Sequence, residues 1–94
     1  MTTHVVKSWP HLYEQILAGR KKHEIRKISD RDYRTGDEIL LQEYDQEAGC
    51  FTGRQTLVRI TYVTSNEYPC ALSGGALGQD YCILSIELVS GDGH

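Results

Sequence analysis

The stretch His4–Lys27, H-V-V-K-S-W-P-H-L-Y-E-Q-I-L-A-G-R-K-K-H-E-I-R-K, decides the fold, because its hydrophobic period changes twice. Val5 and Val6 centre a short extended piece over residues 4–7, which stops at Ser8-Trp9-Pro10. Proline is tolerated in a first helical turn, and Ser8 or Trp9 stands where a cap belongs. Trp9, Leu12, Tyr13, Ile16 and Leu17 then fall at i, i+3, i+4, i+7 and i+8, the apolar stripe of a helix over about residues 10–18. That spacing gives the aromatic members a packing role. Gly19 occupies the position at which a left-handed residue ends a helix. Residues 22–27 return to period two, with Lys22, Glu24 and Arg26 on one face and His23, Ile25 and Lys27 on the other. Ile25 is the obvious core residue of this strand, and so polar a strand lines either solvent or a polar cleft.

Working outward, residues 38–44 (E-I-L-L-Q-E-Y) form a third strand and residues 45–53 a hairpin-like connection. From 54 to 64 the β-branched content is high, and Val58, Ile60 and Tyr62 alternate with Arg59, Thr61 and Val63 in a long strand. Residues 65–80 hold three glycines and a proline and read as a long loop, the kind that often carries function. The last strand, 81–89, places Cys82, Leu84, Ile86 and Leu88 on one face, and residues 90–94 form a frayed tail. Five strands and one helix, without βαβ regularity, predict a single domain over 1–94 with its core at about 4–89. The class is mainly β with one helix (α+β). The architecture expected is a small five-stranded mixed barrel, closed or nearly so, with the helix covering one opening. Closure would remove exposed strand edges.

The charge is unevenly spread. Of ten Lys and Arg residues, seven (Arg20, Lys21, Lys22, Arg26, Lys27, Arg31 and Arg34) lie within 15 positions, against three acids, although the whole chain carries −3. That balance argues against indiscriminate coating of nucleic acid but leaves room for a local anionic site, because screening over about 8–10 Å makes placement matter more than the sum. No apolar run approaches the roughly 20 residues of a membrane span, and the N-terminus lacks a signal-peptide core, so a cytoplasmic protein without membrane contact is expected. Cys50, Cys70 and Cys82 are too scattered for a disulfide framework or a metal knuckle, and the four histidines have no zinc-binding spacing. Reduced structural thiols, no metal and no cofactor are the expectation.

On an open strand face, Arg26 offers a planar fork to a phosphate or a base edge, with Lys21 beside it as a point charge. Glu24 can accept from an amino group such as that of cytosine or adenine. Tyr33 and Tyr44 are candidates for stacking, against the competing role of barrel packing. The bland alternative pairs Glu24 and Arg26 with Arg31 or Asp37 in exposed salt bridges. Asp30, Asp32 and Asp37 fit turn and capping hydrogen bonds better than a calcium loop. Arg54 either reaches the cleft or pairs with Glu43 or Asp45.

The order H-V-V-K, a helix ending in A-G-R-K, H-E-I-R-K, D-R-D-Y-R-T-G-D and F-T-G-R closely resembles the ASCH (activating signal cointegrator homology) domains of the PUA-like superfamily. The nearest likeness is to a short prokaryotic and phage subfamily of uncharacterised function, and it extends from His4 to about Leu88. The resemblance implies a PUA-like barrel whose cleft, beside the helix, binds RNA or a nucleotide or modified nucleoside. It implies Lys21, Glu24 and Arg26 as cleft residues, with Lys7, Arg31 and Tyr33 as secondary candidates. One enzymatic branch deacylates N4-acetylcytidine with a Lys base and a Thr nucleophile. Here Lys21 matches the lysine, but Glu24 stands at the threonine position and cannot inherit acyl transfer from a hydroxyl. A small RNA- or nucleotide-binding module is therefore the leading expectation. Amidohydrolase action, with Lys21 and Glu24 as the catalytic candidates, and a protein-interaction module are the alternatives.

Overall fold

A computed structural model of the chain describes residues 2–27, 31–65 and 80–89. Strand β1 (Thr3–Ser8) leads into helix α1 (Pro10–Leu17), followed by β2 (His23–Lys27), β3 (Glu38–Asp45), β4 (Cys50–Ser65) and β5 (Tyr81–Leu88). The predicted loop at 65–80, apart from Ser65 and Asp80, and the whole tail at 90–94 fall outside the described residues, as do Ser29, Asp30 and Cys70.

Proline at the head of α1 places Trp9 at the cap, with φ −65° and ψ 147° and no side-chain capping bond. The C-terminal end is closed by backbone geometry. Gly19 adopts φ +77°, its amide donates to the Ile16 carbonyl, and the Arg20 amide donates to the Gln15 carbonyl. These two bonds form a Schellman motif, which needs a left-handed residue at this position. Gly19→Ala is expected to lose about 1–2 kcal/mol of stability, visible as a lower midpoint in a urea melt.

The strands form one sheet in the order β1-β3-β4-β5-β2, curled into a half-barrel. β1 pairs with β3 in parallel, and the remaining pairings are antiparallel. The mixed sheet follows from the helical crossover between β1 and the rest of the chain, which allows β1 to lie parallel to a later strand. Tyr13 and Ile16 of α1 pack with Val6, Ile39, Leu41, Val58, Ile60, Leu84 and Ile86 in the core.

Closure is only partial, since β1 and β2 remain as edges. Side chains bridge the gap: the Arg26 Nη2 donates to the Lys7 carbonyl at 3.1 Å, and the Arg31 Nη2 donates to the Val5 carbonyl at 3.0 Å. Carbonyls two residues apart on an extended strand point the same way. Two guanidinium groups thus occupy acceptors that an unprotected edge would offer to another chain.

Several residues depart from simple alternation. Ile25, expected in the core, is 58% exposed, whereas Glu24 is buried. The reason lies in the antiparallel register, which sets Glu24 opposite Leu84 and Arg26 opposite Cys82. Directly opposed residues share a face, and β5 buries three apolar side chains, Cys82, Leu84 and Ile86, against Ile25's one, so β5 dictates which side of β2 turns inward. In β4 a register shift between Ile60 and Tyr62 ends the expected alternation: Tyr62 is 54% exposed and Val63 packs against the core instead. An extra residue in one strand reverses the parity beyond it. Leu88, at the end of β5, is exposed rather than inward. β4 also begins earlier than expected, at Cys50, because the connection is only a short turn over 46–49.

Candidate functional site

Glu24 is the centre of the cationic segment. Its Oε1 lies 3.1 Å from the Lys21 Nζ, and its Oε2 lies 3.4 Å from the Arg26 Nε. Lys21 also donates to the carbonyl of His23, which fixes its stem across the helix–strand junction. Each carboxylate oxygen therefore has its own cation, and the trio carries a net positive charge. The Arg26 Nε is buried without a well-directed hydrogen bond, so its approach to Glu24 is an ion pair rather than an aligned fork. These contacts replace the pairing of Glu24 and Arg26 with Arg31 or Asp37 that was the bland expectation.

Glu24 and Arg26 line a cleft of about 350 Å³ together with Lys7, Ser8, Trp9, Leu12 and Ile25. This is the seam between the two sheet edges, beside the start of α1. Lys21 belongs to its far side. It lines a second hollow of about 330 Å³ with Lys22, Gly19 and the apolar side chains Ile16, Val58 and Ile86. The three predicted residues are thus brought together, with Lys21 reaching the cleft only through Glu24. Lys22, placed by parity on the Glu24 face, is exposed and lines the second hollow.

Trp9, Ser8 and Leu12 were not foreseen as cleft residues. The Trp9 ring, assigned to packing, is 40% exposed, because the cap residue sits outside the helical stripe. Pro10 after Trp9 is the signal that could have shown this. Ser8 is buried at the end of β1, with its side chain on the cleft wall. Lys7 contributes its carbonyl to Arg26 and lays its ammonium 4.2 Å from the centre of the Tyr44 ring.

Other candidates have structural work. Tyr33 is buried with its ring 4.8 Å from His4, so it packs rather than stacks on a ligand. Arg31 binds the β1 edge. Arg54 does not enter the cleft; its Nε and Nη2 grip both oxygens of buried Glu43, each at 2.9 Å, and it also pairs with Glu14 of α1. Thr52 donates to the same Glu43 at 2.6 Å. Hydrogen bonds from Arg54 and then Thr52 hold the Glu43 carboxyl below its ordinary value, despite burial.

A second buried carboxylate organises the start of β3. Asp37 Oδ2 contacts His4 Nε2 at 2.9 Å and accepts the Arg34 amide at 3.2 Å, while Oδ1 accepts the Thr2 amide at 3.1 Å. Burial raises its carboxyl, but the hydrogen bonds from His4, Thr2 and Arg34 outweigh this and hold it below the usual range. The turn role expected of Asp37 is present, with a histidine partner that spacing had not revealed.

Among the described residues no three His, Cys, Asp or Glu side chains lie close enough to hold a metal ion, and no helix is long and apolar enough to cross a membrane. Cys82 is buried, which pushes its thiol up and away from reactivity.

Residues 3–86 match the model of a domain of unknown function, DUF3850. The chain belongs to that family. A relative, the uncharacterized 12.9 kDa protein in the GpA 3′ region of Escherichia phage P2, is 44% identical over 61 residues. That alignment takes in 65% of this chain and 53% of the relative, so the chain spans about half the length of the phage protein it matches. The fold is also that of a solved structure, hypothetical protein PH0355, with a TM-score of 0.58 at 18% identity over 95% of this chain and 100% of the other. The DUF3850 match takes in all of β1 to β4 and most of β5, and so every residue of the seam.

Proposed function

We propose that this DUF3850 domain binds RNA or a nucleotide in the seam cleft, reading a base rather than only a phosphate. The observation that carries this is the buried carboxylate of Glu24 set among cations on the wall of a cleft that also holds a half-exposed tryptophan. A site for phosphate alone gains nothing from a carboxylate. A site for a base can use one to accept from an exocyclic amino group while Arg26 donates to a ring nitrogen or carbonyl. Trp9 supplies the stacking surface that RNA modules use on unpaired bases. The cleft volume suits a nucleoside-sized ligand. The likeness to ASCH domains of the PUA-like superfamily supports the same reading.

Chain chemistry offers less to the amidohydrolase alternative. A carboxylate stands where that chemistry uses a hydroxyl, and Lys21 is committed to Glu24 and the His23 carbonyl.

Trp9 is the sole tryptophan, so its fluorescence reports on the cleft alone. Titration with single-stranded RNA is expected to quench it, and Arg26→Ala is expected to weaken binding about tenfold and to flatten its salt dependence. Unchanged affinity and salt slope in Arg26→Ala would place the ligand elsewhere. Turnover of N4-acetylcytidine that collapses in Lys21→Ala would favour the enzyme instead.

A further inference from the structure

Beyond the cleft, Trp9 begins a line of aromatic rings. Its centroid lies 6.1 Å from that of Tyr44, and Tyr44 lies 5.0 Å from Phe51, edge-on at 79°. Tyr44 and Phe51 are register partners across β3 and β4, so the line runs over the sheet and away from the seam. Phe51 is 49% exposed and does not line the cleft. Tyr44 stands in the middle of the line, and the Lys7 ammonium lies to one side of the Tyr44–Phe51 pair, 4.2 Å from the Tyr44 centroid and 5.8 Å from that of Phe51.

We infer that this stripe binds the nucleotides flanking the base held in the cleft, so that the ligand is a single-stranded polynucleotide and not a free nucleoside or mononucleotide. The inference rests on the cleft reading above and names its substrate class. The half-exposed rings of Trp9 and Phe51 flank Tyr44, and the Lys7 ammonium beside the line offers a backbone phosphate its cation. Aromatic platforms combined with backbone cations are the sequence-tolerant way of holding such strands.

Charge favours nucleic acid over an apolar peptide. Nearby acids are engaged: Glu43 by Arg54 and Thr52, and Asp45 by the amides of Glu47 and Ala48 in the turn. Among the described residues Lys7 has no acidic partner, so an apolar segment over Tyr44 would bury an uncompensated cation. A phosphate there would pair it.

The test compares a labelled single-stranded pentanucleotide with a 5′-mononucleotide against wild type, Phe51→Ala, Phe51→Trp and Arg26→Ala. The pentanucleotide is expected to bind at least about tenfold more tightly than the mononucleotide. Phe51→Ala is expected to lose about tenfold for the pentanucleotide and nothing for the mononucleotide, with Phe51→Trp retaining the affinity. The half-exposed position makes both variants tolerable to the fold, which circular dichroism would verify. Equal pentanucleotide affinity in wild type and Phe51→Ala, with Arg26→Ala weakening both ligands, overturns the stripe and leaves the cleft standing. Loss of effect in Arg26→Ala alone counts against the cleft instead. Competition by an acidic or apolar peptide at comparable affinity would overturn the polynucleotide assignment.

Discussion

Asp37→Ala is expected to destabilise the domain by about 3–5 kcal/mol, because several donors lose one shared acceptor at about 1–3 kcal/mol each. The size follows from what the carboxylate holds. Two amides, from Thr2 and Arg34, and the ring of His4 all end on it, and His4 is itself buried with Tyr33 against it. Alanine would leave the buried His4 ring and two partly buried amides without their acceptor, each with its own desolvation penalty. For a domain of this size the thermal midpoint is expected to fall by more than about 12 °C. A loss below about 1 kcal/mol would mean that water replaces the carboxylate and that the cluster is not dry.

A pH arm sharpens this. The folded Asp37 and Glu43 carboxyls both lie below their ordinary values, so the unfolded chain takes up protons first as the solution is acidified. Their contribution is complete above the unfolded carboxylate range, about pH 4, and disappears as pH falls through the lower folded values. Stability of the wild type should therefore decline below about pH 4, and the Asp37→Ala curve should decline less steeply there.

Glu24→Ala is the second large effect, and it has two signatures. Removing the carboxylate leaves Lys21 and Arg26, both largely shielded, without the anion between them, at about 2–3 kcal/mol of stability. The pair Lys21→Met with Glu24→Leu removes both charges of one pair and is expected to recover part of that loss, with Arg26 still left without its anion. Ligand selectivity should change in the opposite sense to stability. Without its carboxylate the cleft is a cation pair, so inorganic phosphate should protect Glu24→Ala against heat more than it protects wild type. Discrimination in favour of bases bearing an exocyclic amino group should vanish. If the variant keeps that discrimination, Glu24 serves only to neutralise its neighbours.

The helix and strands were legible because each has enough apolar residues at one period to fix its inner face. β2 was legible as a strand but not in its orientation. With Ile25 its lone apolar member, local pattern pointed the wrong way, and the neighbouring β5, 57 positions along from Ile25 at Cys82, decided the matter through register. Tyr62 failed for a related reason: a bulge leaves no trace in a β-branched run. At the site, the charge cluster and the likeness to known domains singled out Lys21, Glu24 and Arg26, whereas Trp9 was hidden by its agreement with the helical stripe. His4 and Asp37 meet only because β1 pairs with β3, a long-range event that no short spacing encodes.

The arginine that bridges the open edges sets a threshold for whatever enters the cleft. Arg26 spends one of its two outer nitrogens, Nη2, on the peptide carbonyl of Lys7. At Nη2 a neutral oxygen exchanges one guanidinium–carbonyl bond for another and gains little by it, which leaves the other donors of the fork to a base edge. An anionic oxygen adds the attraction of opposite charges to that bond and can win the exchange. At that nitrogen the open edge thus favours charge, in a place where uncharged sugars, amides and water compete on equal terms with the protein's own backbone.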